Sequence, residues 1–212
     1  MKAFIFDLDG VLVFTDKFHY QAWKAMADRM GIYFDEQINN RLRGVSRADS
    51  LEIILERYEG VPLTQEDKDA LMEEKNNTYR ELLATMGPSD MSDEVRSTLD
   101  ELRLRGHKLA IGSSSKNTKF ILERIGMGEY FDAVSDGTNI TRSKPDPEVF
   151  LKAAEFLGES PENCIVVEDA YAGIDAARSG GMTAVGIGEA AGYGKTDFPI
   201  KTFSDLLKVP AV

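Results

Sequence analysis

The chain has 212 residues, with 36 acidic against 25 basic side chains and a formal net charge of −11. At 42% hydrophobic and 29% charged it has an ordinary globular composition, and no apolar run approaches the ~20 residues of a membrane helix. It contains no basic cluster of the kind that tracks a phosphate backbone, so neither nucleic acid nor membrane is an expected partner.

In chain order, the first strand is predicted at Ala3–Phe6 and ends at Asp7 and Asp9 in FDLDG. The start, MKAFIFDLDG, has no long apolar region and no small-residue cleavage site, so a cytoplasmic location is expected. From about residue 15 to 80 there is no convincing strand and at least three helical patterns. Phe18, Ala22, Ala25, Met26 and Met30 recur at helical spacing and predict one apolar face, on a segment that also carries His19 and Trp23. Thr64-Gln-Glu-Asp67 resembles a capping motif that opens a long helix toward Met86.

Ser92 can cap a helix that stops at Gly106, and His107 behind it reads as structural. A second strand, Leu109–Ile111, ends at Ser113-Ser114-Ser115-Lys116-Asn117. A third, Ala133–Val134, is followed by Lys144 in SKPDP. Pro147 opens a helix to about Leu157, closed by Gly158. The fourth strand, Ile165–Val167, ends at Glu168-Asp169. A helix from about Gly173 to Ser179 and a fifth strand, Ala184–Ile187, complete the pattern. A single cysteine, Cys164, excludes an intrachain disulfide and reads as a small buried strand residue. Residues 192–195 read as a surface loop, since Gly192-Tyr193-Gly194-Lys195 lacks a phosphate-loop spacing. Alternating strands and helices predict an α/β core with a parallel sheet, interrupted after its first strand by an all-helical insertion.

In open α/β sheets, ligands bind beyond the carboxyl ends of the strands. That rim would gather Asp7, Asp9, Glu168, Asp169, the serines at 113–115, Lys116 and Lys144. Hard carboxylates suit Mg²⁺, and hydroxyls with backbone N–H groups near a helix start suit phosphate oxygens. A lysine offsets the charge that moves during phosphoryl transfer. The two aspartates can divide the work: Asp7 attacks phosphorus to form an aspartyl-phosphate, and Asp9 exchanges a proton with the substrate oxygen.

In this order, DLDGVL, the SSS turn, Lys144 in SKPDP and the run VVEDA resemble the four motifs of the haloacid dehalogenase superfamily, over Asp7 to about Gly188. The resemblance implies a Rossmann-like parallel-sheet core with an all-helical cap inserted after the first strand, the core spanning 1–14 and 83–212 and the cap 15–82. It implies Ser113 and Lys144 as phosphate contacts beside the roles given to Asp7 and Asp9. It also implies Mg²⁺ held by Asp7, Asp169 and the Asp9 carbonyl, with Glu168 as a ligand or its water-mediated support.

Within the insertion, His19, Trp23, GVSRADSL (44–51) and EKNNTY (74–79) resemble the β-phosphoglucomutase branch of that superfamily. That implies Arg47 as the clamp on the non-transferring phosphate, with Gly44, Val45 and Ser46 in the same segment. It implies Ser50 and Lys75 at the sugar, Trp23 in cap packing and substrate contact, and Lys116 and Asn117 extending the phosphate site of Ser114 and Ser115. Thr15 would be the hinge, and also fits an N-cap. His19 would contact Asp9 or substrate. Lys75, taken alone, reads nearly as well as an exposed helix lysine. The implied reaction interconverts β-glucose 1-phosphate and glucose 6-phosphate through the 1,6-bisphosphate, in a monomer acting on a small sugar phosphate. The alternative is a Mg²⁺-dependent sugar-phosphate phosphatase that passes phosphoryl to water. Phe14 stands where many relatives carry an acidic residue before the hinge, which predicts altered hinge packing.

Overall fold

The computed structural model describes residues 2–42 and 46–210, so Gly44 and Val45 lie outside the described residues. The chain divides into two compact units, Met1–Phe14 with Met86–Val212, and Thr15–Thr85.

The first unit is built on a six-stranded parallel sheet in the order β3-β2-β1-β4-β5-β6. Its strands are β1 (Ala3–Phe6), β2 (Lys108–Gly112), β3 (Ala133–Ser135), β4 (Cys164–Glu168), β5 (Thr183–Gly186) and β6 (Phe198–Pro199). All four residues of β1 and all five of β4 are buried, so these strands read as continuous apolar runs rather than alternating ones. β1 pairs with β2 on one side and β4 on the other, so the strand order turns back at its edge. Phe6 is level with Ile111 and Val167, which brings the next residues, Asp7, Gly112 and Glu168, to the same height at the carboxyl end.

The helices of this unit are α5 (Asp93–Leu104), α6 (Thr118–Arg124), α7 (Glu148–Leu157) and α8 (Tyr171–Ser179). Ser92 caps α5 by accepting the Val95 N–H at 3.2 Å, and Gly158 closes α7 in the left-handed conformation. Val149, Phe150 and Ala153 of α7 share an apolar cluster with Ile5, Ala110 and Val166 of the sheet. Cys164 is fully buried, and burial pushes its thiol up to about 11. His107 is structural as expected: its Nδ1 donates to the Lys2 carbonyl at 2.9 Å and its ring meets Phe4 edge-on at 5.1 Å.

The second unit contains α1 (Asp16–Arg29), α2 (Glu36–Asn40), α3 (Arg47–Leu55) and α4 (Gln65–Leu83). Thr64 and Asp67 form the expected capping box on α4: the Asp67 N–H donates to Thr64 Oγ1, and the Thr64 N–H to Asp67 Oδ2 at 2.8 Å. Trp23, Met26, Ile32, Phe34, Leu51 and Leu71 belong to the apolar cluster that joins these helices. Among the described residues, no helix is long and apolar enough to cross a membrane.

Five local expectations need correction. The buried face of α1 is Phe18, Ala22, Trp23, Met26 and Ala27, whereas Ala25 is exposed. The buried stripe follows the core rather than one exact spacing, and Trp23 and Ala27 widen it round the helix. α4 ends at Leu83, three residues short of Met86, and α8 begins at Tyr171 rather than Gly173. The sheet has a sixth strand, β6, held by the pairs Val185↔Phe198 and Gly186↔Pro199. Finally, Thr15 stands before α1, but its hydroxyl makes no capping bond to that helix.

Candidate active site

Asp7 continues the β1 ladder, its N–H donating to the Val167 carbonyl at 3.0 Å. The chain then folds into a tight turn in which the Leu12 and Val13 N–H groups both donate to the Leu8 carbonyl, at 3.0 and 3.1 Å. The Gly10 N–H donates to the Val13 carbonyl at 2.7 Å, and Asp9 bridges to Val13. The two aspartates therefore sit on a rigid element, Asp7 buried and Asp9 half-buried.

Carboxylate oxygens of Asp7, Glu168 and Asp169 lie within 4.8 Å of one another. The Lys144 ammonium answers part of this charge, donating to Asp7 Oδ1 and to Glu168 Oε1, both at 2.5 Å. Burial alone would lower the Lys144 pKa, but Asp7 and Glu168 hold it well above the ordinary ammonium value. Oε2 of Glu168 accepts the N–H groups of Asp169 and Ala170 at 3.0 and 3.1 Å, so both of its oxygens are engaged within the protein. For Asp169 the charge of Lys144 offsets only part of the penalty. Burial first, then the charges of Glu168, Asp7 and Asp9, push its carboxyl up to about 8. A group of hard oxygens that repel one another this strongly fits a divalent cation.

Two glycines that the motif reading passed over make this packing feasible. A Cβ on Gly10, whose φ is +87°, would stand 2.0 Å from Asp169 Oδ2. One on Gly173 would stand 1.9 Å from the Glu168 carboxyl carbon. Phe150 was passed over as well, and its ring lies 4.7 Å from the Lys144 ammonium.

The serine turn is built from hydroxyl-to-backbone bonds. The Ser115 N–H donates to Ser113 Oγ at 3.2 Å, and the Asn117 N–H to Ser115 Oγ at 3.1 Å. Ser113 and Asn117 are buried and Lys116 is exposed. Ser114 Oγ is buried with no hydrogen-bond partner among the described residues. Asp136, at the end of β3, steadies the adjoining loop: its Oδ1 accepts from the Thr138 N–H at 2.8 Å. Next to it, the Gly137 N–H donates to the Ser115 carbonyl at 3.1 Å. The spacing of Asp136 from the other motifs gave no signal of this role.

The helical unit gathers a separate set. Lys75 is only 3% exposed, so it is not the solvated helix lysine that its sequence position equally allowed. Its ammonium donates to His19 Nδ1 at 2.9 Å and lies 4.9 and 4.5 Å from the ring centroids of Trp23 and Tyr79. Burial, followed by the charges of Lys75 and Arg47, pulls the His19 pKa well below its usual value. An ammonium only donates, so this contact leaves His19 with its proton on Nε2. Arg47 begins α3 and donates to Asn76 Oδ1 at 2.8 Å; burial lowers its pKa. Ser50 is buried one turn further along α3. The Ser46 hydroxyl donates to Asp49 Oδ2 at 2.6 Å and accepts the Asp49 N–H, which makes it the helix cap. Phe14, at the end of the first unit's opening segment, is 71% exposed.

A description of haloacid dehalogenase-like hydrolases matches residues 1–181. The chain belongs to that family. It is 41% identical over 208 residues to a β-phosphoglucomutase of Bacillus subtilis, covering 97% of this chain and 92% of the relative. It is also 34% identical to a fructose-1-phosphate phosphatase of Escherichia coli, over 86% of this chain and 94% of that one. A crystal structure of a β-phosphoglucomutase from Clostridium difficile superposes with a TM-score of 0.88 at 37% identity, covering 97% of this chain and 93% of the other. The chain is thus an enzyme of this family with a Rossmann-like core, and its relatives include both sugar-phosphate mutases and sugar-phosphate phosphatases.

Proposed function

We propose that the enzyme is a β-phosphoglucomutase, interconverting β-D-glucose 1-phosphate and glucose 6-phosphate through β-glucose 1,6-bisphosphate. Asp7 is the nucleophile. One of its carboxylate oxygens forms a bond to phosphorus as the bond from phosphorus to the sugar oxygen breaks, and Asp9 in its acid form gives that oxygen a proton. In the return step Asp9 takes a proton from a sugar hydroxyl, which attacks the aspartyl-phosphate and releases Asp7. The cycle consumes no water and no oxidant. Ser113, the turn to Asn117 and Lys144 position the transferring phosphoryl group, with Lys144 donating to Asp7 as well.

Mg²⁺ fits the carboxylate group, with Asp7, Asp169 and the Asp9 carbonyl as ligands and Glu168 supporting them. When bound, it would let the anionic phosphate approach this acidic rim, which Coulomb repulsion otherwise resists.

A phosphatase needs one phosphate site, whereas a mutase that handles a bisphosphate needs two. The observation that carries the mutase reading is a second set of cations, Arg47 and Lys75, beside the neutral His19 within the helical unit. The half-buried Arg47 guanidinium can hold one phosphate by two parallel hydrogen bonds while the other reacts. Identity to a sugar-phosphate phosphatase over most of the chain supports the second reading, the same Asp7 chemistry ending in water. The expected setting is a cytoplasmic monomer acting on a small sugar phosphate.

The test is to follow ³¹P resonances with β-glucose 1-phosphate, Mg²⁺ and a trace of the 1,6-bisphosphate. Growth of glucose 6-phosphate is expected. Inorganic phosphate in stoichiometric amount, with no glucose 6-phosphate, would overturn the proposal.

A further inference from the structure

We propose that Tyr79 is a positioning residue that holds Thr15, His19 and Lys75 in one arrangement, an inference that rests on the reading that those three serve the reaction. Thr15 and His19 are four residues apart at the start of α1, and Lys75 and Tyr79 are four apart on α4, so each pair lies on one helix face. Tyr79 touches all three. Its hydroxyl is 2.9 Å from Thr15 Oγ1, its ring is stacked on the His19 imidazole at 4.1 Å and 29°, and the Lys75 ammonium lies 4.5 Å from the ring centroid.

Tyr79 is 2% exposed, so its hydroxyl needs a partner inside the protein, and Thr15, itself fully buried, is one. The hydroxyl and the ring do separate things. The hydroxyl fixes the residue at which the chain enters α1. The ring covers one face of His19 while Lys75 holds its Nδ1 edge, which leaves the imidazole one orientation and one tautomer. The same ring and that of Trp23 flank the Lys75 ammonium, so a buried cation is held by π faces that also limit where its three N–H groups point. Tyr79 needs no contact with substrate to act. It determines what His19, Lys75 and Thr15 can reach.

Two variants separate the hydroxyl from the ring. Tyr79→Phe keeps the ring, so the His19 ring-proton resonances should stay at the upfield position that a stacked phenol imposes. Tyr79→Leu should move them downfield, while His107 stays unchanged in both variants as the internal control. Unmoved His19 resonances in Tyr79→Leu would overturn the stacking role. If Tyr79→Leu does not fold, Tyr79→Phe carries the test through kinetics. Tyr79→Phe and Thr15→Val should each slow glucose 6-phosphate formation by about fivefold, and the double variant by about the same, because one hydrogen bond is lost in all three. A double variant slowed by about twenty-fivefold would overturn the shared bond. Failure of the mutase reading would appear as no glucose 6-phosphate from the wild-type protein, a result that the resonance measurement does not depend on.

Discussion

The ammonium of Lys144 lies 2.5 Å from Oδ1 of Asp7, the candidate nucleophile, and so joins the acidic rim to the residue meant to attack an anion. The same ammonium reaches Glu168, and all three side chains are nearly inaccessible to solvent. Lys144→Met would leave two buried carboxylates facing one another without their cation. Breaking a buried ion pair from one side costs about 3–5 kcal/mol, so urea unfolding should show a loss of that order together with loss of phosphoryl transfer. Unchanged stability would mean that the pair is not formed in solution.

Gly10→Ala tests the close approach of the first motif to the last. A Cβ there would stand 2.0 Å from Asp169 Oδ2 on a backbone with φ of +87°, so Asp169 must move. If Asp169 helps to hold Mg²⁺, its displacement should weaken Mg²⁺ binding by at least about tenfold in calorimetry on the whole protein. Wild-type affinity in this variant would contradict the placement.

Proton and cation should compete at Asp169. Its carboxyl is pushed up to about 8, by burial first and then by neighbouring negative charge. With the folded value raised, the metal-free folded chain keeps a proton that the unfolded chain releases near pH 4. The contribution of Asp169 to the stability of the metal-free protein should therefore be full below that pH and be lost as pH rises toward about 8, a loss that Asp169→Asn should abolish in urea unfolding. Mg²⁺ takes the deprotonated form, so its affinity should rise about tenfold per pH unit up to the same point and then level off. An affinity that does not change between about pH 6 and 8 would contradict this.

Arg47→Ala removes a half-buried guanidinium tied to Asn76. If it clamps the non-transferring phosphate, kcat/KM for β-glucose 1-phosphate should fall by about a hundredfold, roughly the worth of a charge-assisted pair of bonds. Hydrolysis of a small aryl phosphate, which has no second phosphate, should fall far less. Arg47→Lys should restore only part of the loss, because an ammonium cannot make the planar two-pronged contact. Equal losses on both substrates would remove Arg47 from that role.

The sequence exposes the parts of this molecule that local chemistry determines. β1 and β4 are short apolar runs ended by carboxylates, and α4 and α5 begin with capping side chains three residues ahead of their partners. Features that depend on distant residues were hidden. β6 is two residues long and contains a proline, so it exists only through its pairing with Val185 and Gly186. Lys75 looks like any helix lysine until Trp23 and Tyr79 close over it from two helices. Gly10 and Gly173 look like turn and helix glycines, yet each leaves room for one particular carboxylate, that at Gly10 lying far along the chain. The spare Ser114 hydroxyl and the buried Asp136 likewise become visible only once the loops after β2 and β3 are packed together.

In the proposed reaction phosphoryl passes from Asp7 to a sugar hydroxyl rather than to water. Turnover of β-glucose 1-phosphate with Mg²⁺ and a trace of the 1,6-bisphosphate in ¹⁸O-labelled water, read by mass spectrometry, tests it directly. The expected product is glucose 6-phosphate with no solvent oxygen in its phosphoryl group, with only minor labelled inorganic phosphate. Inorganic phosphate carrying one solvent oxygen as the main product would contradict it.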